Sequence, residues 1–148
     1  MPGDVTRTVL GLSGQVLAIV VSPAPSVKPG AKFFTRPSDP LQVGRIEYPE
    51  GHEIPAHAHR PVERTLVGTP EVLLVRKGEV RAKFYDHTPV TDPEAPRQWQ
   101  QVDEVKLSAG DVAILLSGGH GFLMEQDTVL WEVKQGPYLD KAADKVTI

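Results

Sequence analysis

The chain contains no cysteine, which excludes a disulfide scaffold and removes thiolates from the ligands available to a metal. Basic residues are in slight deficit: 16 Lys and Arg against 19 Asp and Glu leave a formal charge of −3, with a pI near 5.9. Such a balance lacks the basic footprint of a nucleic-acid binder. Long apolar runs are missing too. The most apolar stretch, Val16 to Val21, is far shorter than the ~20 residues a membrane helix requires. Met1-Pro2-Gly3-Asp4 lacks the positive start of a secretory signal. The expectation is a cytoplasmic protein with neither nucleic acid nor membrane as partner. Helical periodicity is not sustained over three turns anywhere before the C-terminus, and there is no internal repeat.

What is present is punctuation. Fourteen prolines and thirteen glycines divide the 148 residues into short runs, a pattern that suits strands rather than helices. Strands are expected at Gln15 to Val21, Lys32 to Thr35, Leu41 to Tyr48, Gln98 to Leu107, Val112 to Ser117, His120 to Glu125 and Thr128 to Lys134. Glu71 to Arg76 and Glu79 to Asp86 read as a hairpin turned at Lys77-Gly78. His52 to His59 reads as an extended segment. Arg60 to Pro70 and His87 to Arg97 read as loops, and Asp140 to Lys145 as a helical turn or an ordered tail. Many short strands with tight turns predict one all-β domain, a sandwich or a barrel.

Chemistry concentrates in a few histidines and carboxylates. In an extended strand, His57 and His59 share a face while Ile54, Ala56 and Ala58 share the other. A carboxylate and a third histidine arriving from other strands would complete a mixed nitrogen and oxygen metal site. Gly51 lies six residues before His57, and Glu71 is followed seven residues later by Gly78. Farther on, Gly110, an apolar run, Gly118 and His120 form a second cluster.

This arrangement resembles the cupin superfamily. The first cupin motif places a glycine six residues before His-x-His, then a glutamate after three or four more, then a glycine seven beyond the glutamate. Gly51, His57, His59, Glu71 and Gly78 fit both halves, but eleven residues separate His59 from Glu71. Glu63, three intervening residues after His59, also satisfies the family spacing. It lies among Arg60, Pro61 and Arg64, whereas Glu71 opens an apolar run that ends in a turn, as the family's ligand does. In the second motif, Leu116 replaces a proline, His120 falls one residue early and Met124 stands in for an asparagine. The likeness covers roughly Leu41 to Gly136.

The resemblance implies a jelly-roll barrel over about residues 41–136, with an N-terminal strand arm over 1–40 and a C-terminal tail over 137–148. It also implies one divalent transition metal (iron, manganese, nickel, zinc or cobalt) on His57, His59, Glu71 and His120, with Glu63 as the alternative carboxylate. Imidazole and carboxylate together suit such ions. Arg60 and Arg64 would then form a lid suited to an anionic group. The implied role is catalysis on a small polar or anionic organic molecule, of oxygenase, isomerase or lyase type. The alternatives are a non-catalytic ligand-binding module and a metal-free epimerase-like protein pairing a histidine base with Tyr85. Because one fold carries many activities, the family alone does not choose among them.

Two structural questions stay open at this level. Val129, Trp131 and Val133 share one face of their strand and Glu132 and Lys134 the other. Either the apolar face fills the core and the charged face is solvated, or Trp131 packs in a dimer interface and Glu132 and Lys134 line a pocket. A homodimer is expected, with Gln15 to Val21 reaching the sheet of a neighbouring subunit as one route to it.

Overall fold

β-Branched and aliphatic residues make stable strands where both faces are covered, and Val16 to Val21 meets that condition best in this chain. The computed structural model describes residues 3–148. There the run forms β2 (Val16–Ser22), hydrogen-bonded between β1 (Val5–Leu10) and β8 (Val112–Leu115). The five-stranded antiparallel sheet continues through β5 (Glu71–Lys77) to β10 (Val129–Lys134). Three further strands, β7 (Trp99–Ser108), β6 (Glu79–His87) and β9 (Gly119–Met124), form a second antiparallel sheet in that order. A separate ladder joins β3 (Gly30–Phe33) to β4 (Gly44–Glu47), and α1 (Lys141–Asp144) is the one helix among the described residues. Among the described residues, no helix is long and apolar enough to cross a membrane.

The core lies between the two larger sheets. Ala18, Val20, Leu73, Val75, Ala113 and Leu115 come from one, and Val80, Ala82, Phe84, Val105 and Leu107 from the other. On the opposite face of the five-stranded sheet, Ile19, Val21 and Ile114 are covered by Phe34 and Val43. The two sheets are joined at Gly78, whose φ of +88° and close approach to Asp127 and Thr128 leave no room for a side chain. A second tie is a set of hydrogen bonds to one carboxylate. The buried Asp86 of β6 accepts hydrogen bonds from Leu12 N and Gln15 Nε2, both at 2.8 Å, and from His87 N at 2.9 Å. This carboxylate pins the β1–β2 turn to the three-stranded sheet.

Several expectations need correction. The architecture is all-β, but three separate antiparallel sheets take the place of a closed barrel. Gly78 turns no hairpin: β5 pairs with β8 and β10, whereas β6 pairs with β7 and β9. Turn chemistry locates a reversal and leaves the partner unspecified. Nor does the Gln15 to Val21 run extend to a neighbour, because β2 lies inside its own sheet with Leu17 to Val21 buried. The segment His52 to His59 forms no strand, and its residues are exposed throughout. On β10, Leu130 packs on the core while Val129, Trp131 and Val133 face outward, Trp131 being 67% exposed.

Asp86 yields a stability test. Burial raises its proton affinity, but the bonds from Leu12, His87 and Gln15 outweigh that and hold its carboxyl below the ordinary value of 3.8. A depressed carboxylate contributes stability that is complete above the unfolded value and fades as pH falls through the folded one. Asp86→Ala should therefore cost about 2–3 kcal/mol near neutral pH. In urea titrations, the gap from wild type should close as pH drops below about 4.

Candidate functional site

Alternation along β5 decides what enters the space between the sheets. Leu73 and Val75 point into the core, so Glu71, two residues before Leu73, points the same way. On β9 the facing follows from pairing. His120 lies opposite Phe84 and Phe122 opposite Ala82, both inward residues of β6, so His120 and Phe122 also face inward. The consequence is a contact between the sheets: His120 Nε2 stands 3.2 Å from Glu71 Oε2. The glutamate side chain is 7% exposed and the histidine 29%. The Phe122 ring, centred 5.4 Å from the imidazole, flanks it.

The hydrogen bond from His120 holds the Glu71 carboxyl below the usual range, against burial, which pushes it up. The charges of His120, Lys145 and Lys134 act in the same direction as the hydrogen bond. Glu71 therefore stands as a carboxylate, which is the form that ligates metal or orients an imidazole.

Above this pair opens a cleft of about 680 Å³, walled by Leu73, Trp99, Phe122, Leu130 and Glu132 and by the tail residues Asp144 to Val146 and Ile148. Asp140 caps α1 by accepting from Ala143 N at 2.9 Å, and Thr69 Oγ1 donates to Asp144 Oδ1 at 2.9 Å. These contacts lay the tail across the cleft. The volume suits a small organic molecule, and three carboxylates, Glu71, Glu132 and Asp144, face it together with Lys145.

The structure thus unites two of the four residues the motif singles out. Glu71 and His120 meet, while His57 and His59 stand together on the exposed segment, their rings 5.5 Å apart in an edge-on arrangement. His57 Nδ1 lies 2.9 Å from Pro55 O. Among the described residues, no three His, Asp or Glu side chains are grouped to hold an ion. The alternative carboxylate Glu63 is exposed on the same segment, as are Arg60 and Arg64, and none of the three lines the cleft. Arg64 reaches only Val62 O, at 3.4 Å. Tyr85 also lies outside the cleft lining.

Sequence reasoning did not identify Trp99, Lys145 or Ile148 as cleft residues. Trp99 gave no signal, because its ring sits edge-on to His87 at 4.6 Å through a pairing seen only in three dimensions. Of the two residues that alternation in β10 offers to a pocket once Trp131 is outside, Glu132 lines the cleft and Lys134 does not. No protein-family model, curated protein or solved structure matches the chain.

The contrast between the two glutamates is measurable in folding alone. Glu71→Ala removes a buried partner of His120 and should cost about 1–3 kcal/mol in urea denaturation. Glu63→Ala, on the exposed segment, should stay within about 0.5 kcal/mol of wild type. Equal losses would contradict the placement of both residues.

Proposed function

We propose that this is a small-molecule-binding protein of cupin type, with its ligand site in the cleft over Glu71 and His120. One observation carries the reading. Glu71 and His120 are 49 residues apart in sequence and on different sheets, yet they converge at 3.2 Å on the cleft floor. Both belong to the ligand set that the resemblance to the cupin motifs implies.

Two donors of the kinds a divalent transition metal takes, an imidazole nitrogen and a carboxylate oxygen, meet here, while His57 and His59 lie apart on the exposed segment. The 3.2 Å between Nε2 and Oε2 is the hydrogen bond described above, and an ion would have to replace its proton. Glu71 and His120 would hold the ion, with His57 and His59 as the further ligands named by the motif. An ion in this place would act as a Lewis acid towards a polar substrate.

The rest falls to the chain's own groups. Trp99 and Phe122 offer apolar surface for the body of a ligand. Glu132 and Lys145 offer hydrogen-bonding and charged ends that would orient it. The carboxylates favour a polar ligand carrying hydroxyl or ammonium groups. Without an ion, the same Glu71–His120 contact orients an imidazole for proton transfer, as an acid–base pair requires.

Elemental analysis of protein prepared without tag or chelator, followed by titration with nickel or zinc, tests the metal. About one ion per chain is expected. Glu71→Gln should weaken binding well beyond the 10–100-fold typical of residues outside the coordination sphere, and Glu63→Gln should leave it unchanged. A stronger effect of Glu63→Gln would transfer the carboxylate role to the exposed segment.

A further inference from the structure

The cleft over Glu71 and His120 is partly filled by the chain's own tail. β9 opens with Gly119, one residue before His120, and a β-carbon there would collide with Ile148 Cδ1. It would also stand 3.3 Å from Trp99 Cζ3 and from Tyr85 Cβ. The missing side chain therefore leaves a slot beside Trp99, and the end of the Ile148 side chain sits in it. Gly119 has no positive φ, so backbone conformation does not call for glycine at this position. What the absent β-carbon supplies here is space.

The same stretch of chain brings a cation. Lys145 lines the cleft, and its charge helps to hold Glu71 as a carboxylate. Residues 144–148 thus set an ammonium group near Glu71 and a branched aliphatic group beside Trp99. Those are the two ends of one small amphiphilic cation.

The tail is held lightly. Among the described residues, 136–148 make no backbone–backbone hydrogen bond to either large sheet. Side chains do the holding: Thr69 Oγ1 donates to Asp144 Oδ1 at 2.9 Å, and Lys134 Nζ stands 4.0 Å from Asp144 Oδ2. Ile148 itself remains 50% exposed. Segments with few buried contacts and few backbone bonds to the body are the ones that open most readily.

We infer that residues 144–148 are a built-in competitor for the cleft, with Ile148 and Lys145 standing where the aliphatic and cationic ends of a small amine bind. The ligand enters by displacing the tail. This rests on the reading of the cleft as a ligand site, and it names the ligand class: a primary amine carrying a short branched aliphatic group. Gly119 sets the specificity, because its slot admits a branched group only while no β-carbon stands there. Tail and ligand exclude one another, so apparent affinity scales with the fraction of molecules whose tail is released.

The test uses full-length chains in a Trp131→Phe background, where Trp99 is the one indole left of two. Acrylamide quenching of Trp99 reads the tail. Titration with isopentylamine, whose branched end is an isomer of the isoleucine side chain, reads the cleft through Trp99 emission. Ethylamine controls for the branch and isovalerate for the charge. Thr69→Val and Ile148→Ala loosen the tail at separate points, and both should raise the quenching. Thr69→Val should also strengthen isopentylamine binding about tenfold, the contribution of one hydrogen bond to a charged group, and Ile148→Ala should act in the same direction. Gly119→Ala should raise the quenching by expelling Ile148, yet abolish the preference for isopentylamine over ethylamine. Equal affinity of the wild type and Ile148→Ala would overturn the competition and leave the cleft a ligand site. Tighter binding of isovalerate than of isopentylamine would overturn the assigned ligand class. No binding by any of these chains would overturn the competition together with the ligand reading of the cleft.

Discussion

Everything in this fold depends on the chain leaving one sheet and entering the other at Gly78. Val75 and Val80, on either side of that crossing, are fully buried, so the corner itself is part of the core. A hairpin at this point would have placed β5 and β6 in one sheet. The crossing instead sends them to opposite layers, so that Leu73 and Val75 pack toward Val80, Ala82 and Phe84. The tight approach of Asp127 and Thr128 to the Gly78 Cα explains why no side chain can stand there. A β-carbon would push the β9–β10 connection away from the corner, and with it the start of β10.

The site is a consequence of that layering. Because Glu71 shares its facing with Leu73 and Val75, it is committed to the space between the sheets whether or not it has a partner there. An unpartnered buried carboxylate would be costly, and His120 is the group that meets it. The histidine in turn is aimed by its register with Phe84, the largest fully buried side chain among the described residues. The polar pair is thus positioned by the apolar core beneath it. A change that loosened Phe84 would move the imidazole before it disturbed the cleft walls.

Features governed by local spacing were legible in the sequence. Alternation put Trp131 and Glu132 on opposite faces of one strand, and the resemblance to the cupin motifs named Glu71 and His120, which the structure brings into contact. Partner choice was not legible, because turn residues and alternation are properties of one segment whereas pairing is a property of two. That is why β5 and β6 read as a hairpin. β1 was missed for a related reason: Thr6, Arg7 and Thr8 are exposed, so an edge strand with one buried residue, Val9, carries little apolar signal. The histidine pair shows the converse limit. His52 to His59 has the composition of an extended segment, but composition supplies no sheet edge, and the segment remains unpaired in its own chain.

The two faces of β10 extend this reasoning to the choice of ligand. Leu130 must join the core, and alternation then commits Glu132 to the cleft and Trp131 to the outside. An acidic group thereby enters a cleft that already holds Glu71 and Asp144. Lys145 faces the same space, and Lys134 stands 4.0 Å from Asp144, which tempers the negative field without reversing it. The arginines that would favour an anion, Arg60 and Arg64, sit on the unpaired segment and not on the cleft wall. Within a single chain, the field in the cleft therefore favours hydroxyl or ammonium groups over carboxylate or phosphate.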